Sequence, residues 1–462
     1  MYSVVKNMSN IPSKRIATHS QTCAAVVAEV LTASLLDHRP ADRCLAAIFR
    51  QRRQLGARDR RIIGETLFAV LRWWGWLRHL APPEFTEAFA SQRSLDKPLP
   101  EALWFACFSA AWYLEARPEL PPSVAWWLYQ ANITMPETDF PAGRTTPLRD
   151  RRRRLKPFLS HFNLVLPLPV EDLVPAWAIA EIESPRPLPE LIEAMQVRSP
   201  LWLRAQTNDI DRLKAELGRE NIRLEAHSRM TYALQAPAAP PVNLRAVPAF
   251  QEGRFEVQDI ASQAVAYVCD PKPGEMWWDA CAGAGGKTLH LAWLMQGKGS
   301  IVATDNRTYK LQDLKLRARR AKFHNITCKE WLGIDVPRYH KLFHGVLVDV
   351  PCSCSGIWRR NPDARWVTQP EELPDFTELQ LRLLTNAAQG TAVNGTLVYS
   401  TCSCFTAENK GVVDQFLAAN PDFTLQPFEC PVTGRHVDGM SQLWPWDADC
   451  DAMFTAKFTR LR

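Results

Sequence analysis

Two cysteines fifty residues apart stand in similar settings, Asp349-Val-Pro-Cys352-Ser and Ser400-Thr-Cys402-Ser. Each follows a short apolar run that reads as a buried strand, which sets each thiol at a strand end among small polar residues. A thiolate there is a nucleophile or a metal ligand, whereas a buried thiol is inert packing. For one cysteine, packing is the first reading. Two at matched strand ends favour chemistry, because packing gives no reason for the match. Metal is the remaining rival, since Cys352 with Cys354 and Cys402 with Cys404 make two C-x-C pairs. Zinc knuckles separate their ligands by two or more residues, so no metal site is expected.

Upstream, Asp279-Ala-Cys-Ala-Gly-Ala-Gly-Gly-Lys287-Thr joins an apolar strand to a helix. Gly283, Gly285 and Gly286 clear side chains from a backbone that a ligand must approach, and they permit positive φ. This is no P-loop, because GxxxxGK[ST] requires glycine where Cys281 stands. The next strand, Ser300-Ile-Val-Ala-Thr-Asp305, ends on an acid where doubly wound folds hold a ribose diol. Together the turn and the acid point to a nucleoside-containing cofactor. The plainer reading of Asp305 is a cap on the following helix.

Positioning these groups calls for strands that alternate with helices. MWWDACA, SIVATD, GVLVDV and GTLVYST read as strands. KTLHLAWLMQ, KLQDLKLRARRAKF and the region Thr377–Gln389 read as helices between them. The alternation predicts a doubly wound, mainly parallel sheet with ligands beyond the carboxyl ends of its strands. Before it, Pro200–Phe255 reads as a small α+β unit that ends in the Pro/Ala stretch APAAPPVNLRAVPAF. Thr18–Phe162 reads as helical, with Ile63, Leu67, Val70, Leu71 and Trp74 on one face. The tryptophans of this region are expected in the core. Two basic clusters, Arg50–Arg61 and Arg149–Lys156, could neutralise phosphates. The second lies between Pro147 and Pro157 and reads as an exposed connector.

At 462 residues the chain exceeds one ordinary domain. Its 12 cysteines are scattered and form no compact disulfide framework. No apolar run of about 18 residues suggests a membrane span, and MYSVVKNMSNIPSKR lacks the apolar core of a secretory signal. A reduced, cytoplasmic protein is expected, off the membrane and monomeric.

Asp349-Val-Pro-Cys352-Ser, Arg359-Arg-Asn-Pro-Asp-Ala-Arg-Trp366 and Leu397-Val-Tyr-Ser-Thr-Cys402-Ser resemble signature motifs of the RsmB/NSUN family of RNA 5-methylcytosine methyltransferases. Arg254-Phe-Glu-Val-Gln-Asp259-Ile-Ala-Ser-Gln263 and the glycine turn follow the family's order, and the resemblance covers Pro200 to Arg462. The N-terminal helices resemble the NusB-like RNA-binding domain of the RsmB type. That implies three parts: an all-α NusB-like domain at 1–165, a linker with a small α+β subdomain at 166–255, and a Rossmann-like catalytic domain at 256–462.

The resemblance further implies S-adenosylmethionine as cofactor and an RNA, small-subunit ribosomal RNA first, as partner. It makes Cys402 the thiolate that adds to C6 of cytosine and Cys352 the thiol that assists release of the methylated base. Asp349 would hold the cytosine edge, and Lys287 would favour the thiolate. Cys281, Ala282, Gly283, Ala284, Gly285, Gly286 and Lys287 would cradle the cofactor, with Asp305 on its ribose and Asp349 beside it. Glu330 is nearest by spacing to the family's adenine-side acid, with Asp335 the alternative.

Several positions depart from the family pattern. Ala282-Gly-Ala-Gly-Gly-Lys287 replaces Ala-Ala-Pro-Gly-Gly-Lys, Asn361 replaces a histidine, and Cys354 and Cys404 are extra thiols. Two other functions compete. A non-catalytic RNA-binding assembly factor could keep the fold, although intact Cys352, Cys402, Asp349 and Lys287 argue against decay. A DNA or protein methyltransferase is the other, but DNA enzymes draw their nucleophile from the Pro-Cys motif itself.

Overall fold

A computed structural model describes residues 14–136, 142–236 and 242–462. The chain forms two compact units. The first comprises the described residues up to Ala180, with Ser184–Arg198 and Trp358–Gln369. The second takes Glu181–Glu183, Ser199–Ile357 and Pro370–Arg462. The expected boundary at 165/166 therefore lies within the first unit, and that at 255/256 within the second.

The first unit is helical. Its helix Ala57–Leu77 buries Ile63, Leu67, Val70, Leu71 and Trp74 completely. Trp73, Trp76, Trp104 and Trp127 are buried as well, so the tryptophans are core. The first basic cluster is largely exposed. The second is no connector. Leu148–His161 is a helix begun after Pro147, with Leu148, Leu155, Phe158 and Leu159 buried. Six basic side chains mask that stripe in the sequence. Arg151 and Arg154 are buried, and Arg151 donates to the carbonyls of Thr146, Arg144 and Leu114 while lying over the Trp73 ring.

Trp358–Gln369, which carries the Arg-Arg-Asn-Pro-Asp-Ala-Arg-Trp motif, is built into this helical unit. Buried Arg359 donates to the Val197 carbonyl at 2.9 Å, and fully buried Arg365 donates to that of Leu173 at 2.8 Å. Trp366 Nε1 donates to the Leu71 carbonyl, and Asp363 accepts from the Ala41 N–H at the start of a helix.

The second unit holds two main sheets. The smaller contains β1 (Leu201–Ala205), β2 (Glu225–Ala226), β3 (Ala233–Ala236) and β4 (Phe255–Val257) in the order β2-β3-β1-β4. Helix Ile210–Arg219 packs Leu213 and Leu217 against Leu203 and Leu234. Part of the Pro/Ala stretch, 237–241, lies outside the described residues.

The larger sheet contains β5 (Met276–Asp279), β6 (Ser300–Asp305), β7 (Ile326–Glu330), β8 (Phe343–Asp349), β9 (Thr391–Thr401) and β10 (Phe423–Leu425). After a hairpin of β11 (Phe428–Glu429) and β12 (His436–Val437), β13 (Met440–Leu443) and β14 (Met453–Arg460) complete it. Its order is β10-β14-β9-β8-β5-β6-β7, with β13 pairing β14. The strands from β7 through β9 are parallel, and β14 is antiparallel to β9. This is the Rossmann-like α/β frame that the alternation predicts. Trp277 and Trp278 enter separate cores because successive strand residues point to opposite faces. Strand order reverses between β5 and β8, and the crevice above that switch point is where such folds bind ligands.

Candidate active site at the carboxyl ends of the large sheet

The glycine turn follows β5 and opens the helix Gly286–Leu294. Gly283 and Gly285 have φ of 53° and 84°, and a side chain on Gly285 would strike Leu314. Only glycine meets both demands at Gly285. The turn is pinned from several sides. Ala282 donates its N–H to the Thr304 carbonyl and Gly283 to Asp305 Oδ2 at 2.9 Å, while Ala284 and Gly286 accept from Arg317 and Arg204. Burial pushes the partly exposed Cys281 thiol well up. Asp279, which heads the turn, accepts from Thr288 Oγ1 at 2.6 Å, and burial raises its carboxyl to about 7.

Asp305 ends β6 and is 4% exposed. Besides Gly283 it accepts from the backbone of Arg307 and, through both oxygens, from the Arg307 guanidinium at 2.9 and 3.0 Å. Burial works to raise this carboxyl, but the Arg307 donors win and hold it below the usual range. Glu330 ends β7 as the register partner of Asp305 and is exposed. Asp335 lies farther along the loop, paired with His340 Nε2 at 2.7 Å.

β8 and β9 bring the two cysteine motifs together. Asp349 and Ser400 are partners in register, and Ser400 Oγ donates to Asp349 Oδ1 at 2.7 Å. Lys287 Nζ donates to Asp349 Oδ2 at 2.7 Å. Burial would lower this lysine, but Asp349 overrides it and raises it, so an ammonium stands beside the cysteines. The Sγ atoms of Cys352 and Cys402 are 3.4 Å apart. Cys352 is buried and Cys402 partly exposed.

A model of the 16S rRNA methyltransferase RsmB/F family matches residues 266–459. The ribosomal RNA small subunit methyltransferase B of Klebsiella pneumoniae is 29% identical over 299 residues, covering 63% of this chain and 67% of that protein. A probable counterpart from Synechocystis is 36% identical over 222 residues, covering 46% of this chain and 49% of that one. Residues 266–459 belong to the RsmB/NSUN family. The crystal structure of PH0851 shares the chain's fold, with a TM-score of 0.71 and 23% identity over 94% of this chain and 98% of that one.

This RsmB/NSUN site depends on residues that motif reading passes over. Glu408 is fully buried and accepts from the Ser353 N–H at 2.8 Å, from the hydroxyls of Ser353 and Ser403, and from Gln380 Nε2 at 2.8 Å. It thereby ties the Cys352 loop to the Cys402 loop. Gly356 reinforces the tie by donating to the Cys402 carbonyl at 2.9 Å. On the cofactor side Arg317 bridges the Ala284 carbonyl and Glu256 of β4. Glu256 lies within the Arg254–Gln263 motif and Arg307 two residues past Asp305, so both had a signal in sequence. Glu408 had none.

Proposed function

We propose that this chain transfers a methyl group from S-adenosylmethionine to C5 of a cytosine in small-subunit ribosomal RNA, through a covalent bond between Cys402 and C6. The observation that carries this is the 3.4 Å approach of Cys352 and Cys402 beside the Lys287–Asp349 pair. Two thiols at adjacent parallel strand ends can serve one base, one attacking and the other assisting release.

The residues at the switch point fit the cofactor. Asp279 Oδ1 is buried without a hydrogen-bond partner, Asp305 presents a carboxylate at the next strand end, and the glycine turn lies between them. In this reading Cys281 to Lys287 hold the cofactor's methionine and ribose, Asp305 its hydroxyls and Glu330 its adenine side. When bound, S-adenosylmethionine supplies an electrophilic methyl at a sulfonium.

Cys402, the more exposed thiol, adds as thiolate to C6 and makes C5 nucleophilic. The Lys287 ammonium favours that thiolate. Asp349 accepts from the cytosine edge, held in place by Ser400 and Lys287. After C5 has taken the methyl, its proton passes to solvent as the C5=C6 double bond re-forms, and the C6–sulfur bond breaks to return Cys402 as thiolate, with assistance from Cys352. The target base must leave its stack to reach these groups.

In the same reading the helical part, 1–165, is NusB-like and docks RNA through Arg50, Arg53, Arg58, Arg60 and Arg61, which are exposed. The segment 166–255 adds a small RNA-facing subdomain, and 256–462 performs the transfer.

The test is methyl transfer from labelled S-adenosylmethionine to 16S-type rRNA. Cys402→Ala should abolish incorporation, and Cys352→Ala should accumulate a covalent protein–RNA complex. Full activity in Cys402→Ala would sink the assignment.

A further inference from the structure

Cys354 is an extra thiol whose position gives it a role. It sits in the left-handed region at φ 59°, which turns its side chain back so that Sγ approaches the Cys352 carbonyl at 3.5 Å. The sulfurs of Cys352, Cys354 and Cys402 all lie within 4.8 Å of one another. Cys404 stands outside this group, buried, with its backbone N–H on Ser355 Oγ. The structure thus replaces the four-thiol arrangement suggested by two C-x-C pairs with three convergent thiols.

We propose that Cys352, Cys354 and Cys402 form a three-thiolate binding site for a soft divalent d10 cation, for which zinc and cadmium are the probes. A zinc–sulfur bond is about 2.3 Å, which sets tetrahedral sulfurs about 3.8 Å apart. Cys352 and Cys402 at 3.4 Å need to part by a few tenths of an ångström, and the spread of all three already brackets that separation. Thiolate ligands select such cations over magnesium or calcium.

The surroundings hold the three sulfurs in place. A side chain on Gly356 would strike the carbonyls of Ala452 and Cys402, so the loop after Cys354 is packed tightly against its neighbours. Glu408 fixes the same loop through Ser353. Charge is complementary too. A dication with three thiolates carries one net negative charge, and the Lys287 ammonium interacts electrostatically with Cys402. Binding displaces the three thiol protons to solvent, forms three metal–sulfur bonds and leaves the fourth position to water. The binding claim stands apart from the proposed methylation. Its consequence, that a bound cation takes Cys402 out of use, rests on that proposal.

The experiment titrates the reduced full-length chain with cadmium and follows the thiolate-to-cadmium charge-transfer band and proton release. One cadmium per chain with about three protons released is expected. Cys354→Ser should cut the band by about a third and weaken binding roughly tenfold or more, with Cys404→Ser unchanged. Equal affinity in Cys354→Ser, or no stoichiometric binding by the parent chain, overturns the proposal. Should Cys354→Ser fail to fold by circular dichroism, alkylation of the parent with and without cadmium decides. Protection of Cys352, Cys354 and Cys402 together supports the site, and protection of any other set overturns it. These readouts do not involve methyl transfer, so an inactive preparation leaves them intact.

Discussion

Two buried carboxylates, Glu115 of the helical unit and Glu408 of the α/β unit, meet different partners. In the helical unit Glu115 takes the Arg72 guanidinium at 3.4 Å, the Trp73 indole N–H at 3.1 Å and Arg198. Burial works to raise its carboxyl, yet Arg72, Arg198 and Arg117 outweigh that and pull it to about 2. In the α/β unit Glu408 is fully buried and takes neutral donors from Ser353, Ser403 and Gln380. Asp279 has the single Thr288 hydroxyl, and burial carries it to about 7. At Glu115 cations act as mechanical anchors, as Arg317 and Arg320 do at Glu256 in the α/β unit, and a buried pair of that kind fixes geometry more than it adds stability. The α/β unit clamps its cysteine loops without a cation in the clamp. Lys287, paired with Asp349, is then the ammonium beside the thiols.

Breaking the cationic anchor should have the largest effect. Glu115→Ala leaves Arg72 fully buried without its carboxylate, which costs about 3–5 kcal/mol. Urea unfolding should show the midpoint falling accordingly. A loss below about 1 kcal/mol would mean that water reaches Arg72, and the contrast with Glu408 would fail.

Asp279 comes next, through pH. Its carboxyl titrates near 7 in the folded chain and near 3.9 when unfolded. The folded state holds the extra proton, so stability is complete below about pH 4 and declines as pH rises towards 7. Asp279→Asn removes that decline. Its unfolding free energy should match the parent near pH 4 and exceed it by up to about 4 kcal/mol at pH 8. Parallel pH profiles for the two proteins would contradict the raised carboxyl.

Glu408→Gln tests the neutral clamp. It keeps the shape but replaces one of the two accepting oxygens with an amide nitrogen that cannot accept, leaving buried donors unmatched at a cost of about 1–3 kcal/mol. Methyl transfer should fall with it while S-adenosylmethionine affinity stays unchanged, because Glu408 makes its contacts at the cysteine loops and none at the glycine turn. Equal losses in both would mean general softening of the sheet edge.

Much of this was legible in the sequence because it is local. Apolar runs ending in Asp279, Asp305, Asp349 and Thr401 mark strand ends directly, and the parallel register places Asp349 against Ser400. Groups whose meaning depends on distant partners were not legible. Arg151 looks solvated until the carbonyls of Leu114 and Arg144 and the face of Trp73 surround it. Arg365 reads as part of a signature motif of the methyltransferase family, yet its partners are Leu173, Gln196 and Trp358 of the helical unit. Glu408 stands in Thr406-Ala-Glu-Asn-Lys410 like any surface acid, and its partners include Gln380 and Ser353, far upstream.

Arg307 carries the smallest effect and the finest distinction. Like Arg317 on Glu256, it clamps a carboxylate at the glycine turn of the α/β unit, and its side chain is 46% exposed where Glu115's partner Arg72 is buried. With the guanidinium in place Asp305 accepts four hydrogen bonds, so ribose hydroxyls must displace donors to reach it. An exposed ion pair is worth about 0–1 kcal/mol, so removing it should tighten S-adenosylmethionine binding by at most about fivefold. Isothermal titration of Arg307→Ala against the parent measures this, with Asp305→Ala as the opposing control that should weaken binding. The gain should shrink as salt rises, because screening already loosens the parent's pair. Weaker binding by Arg307→Ala would show instead that the guanidinium contacts the cofactor, making it a binding residue and not a gate on Asp305.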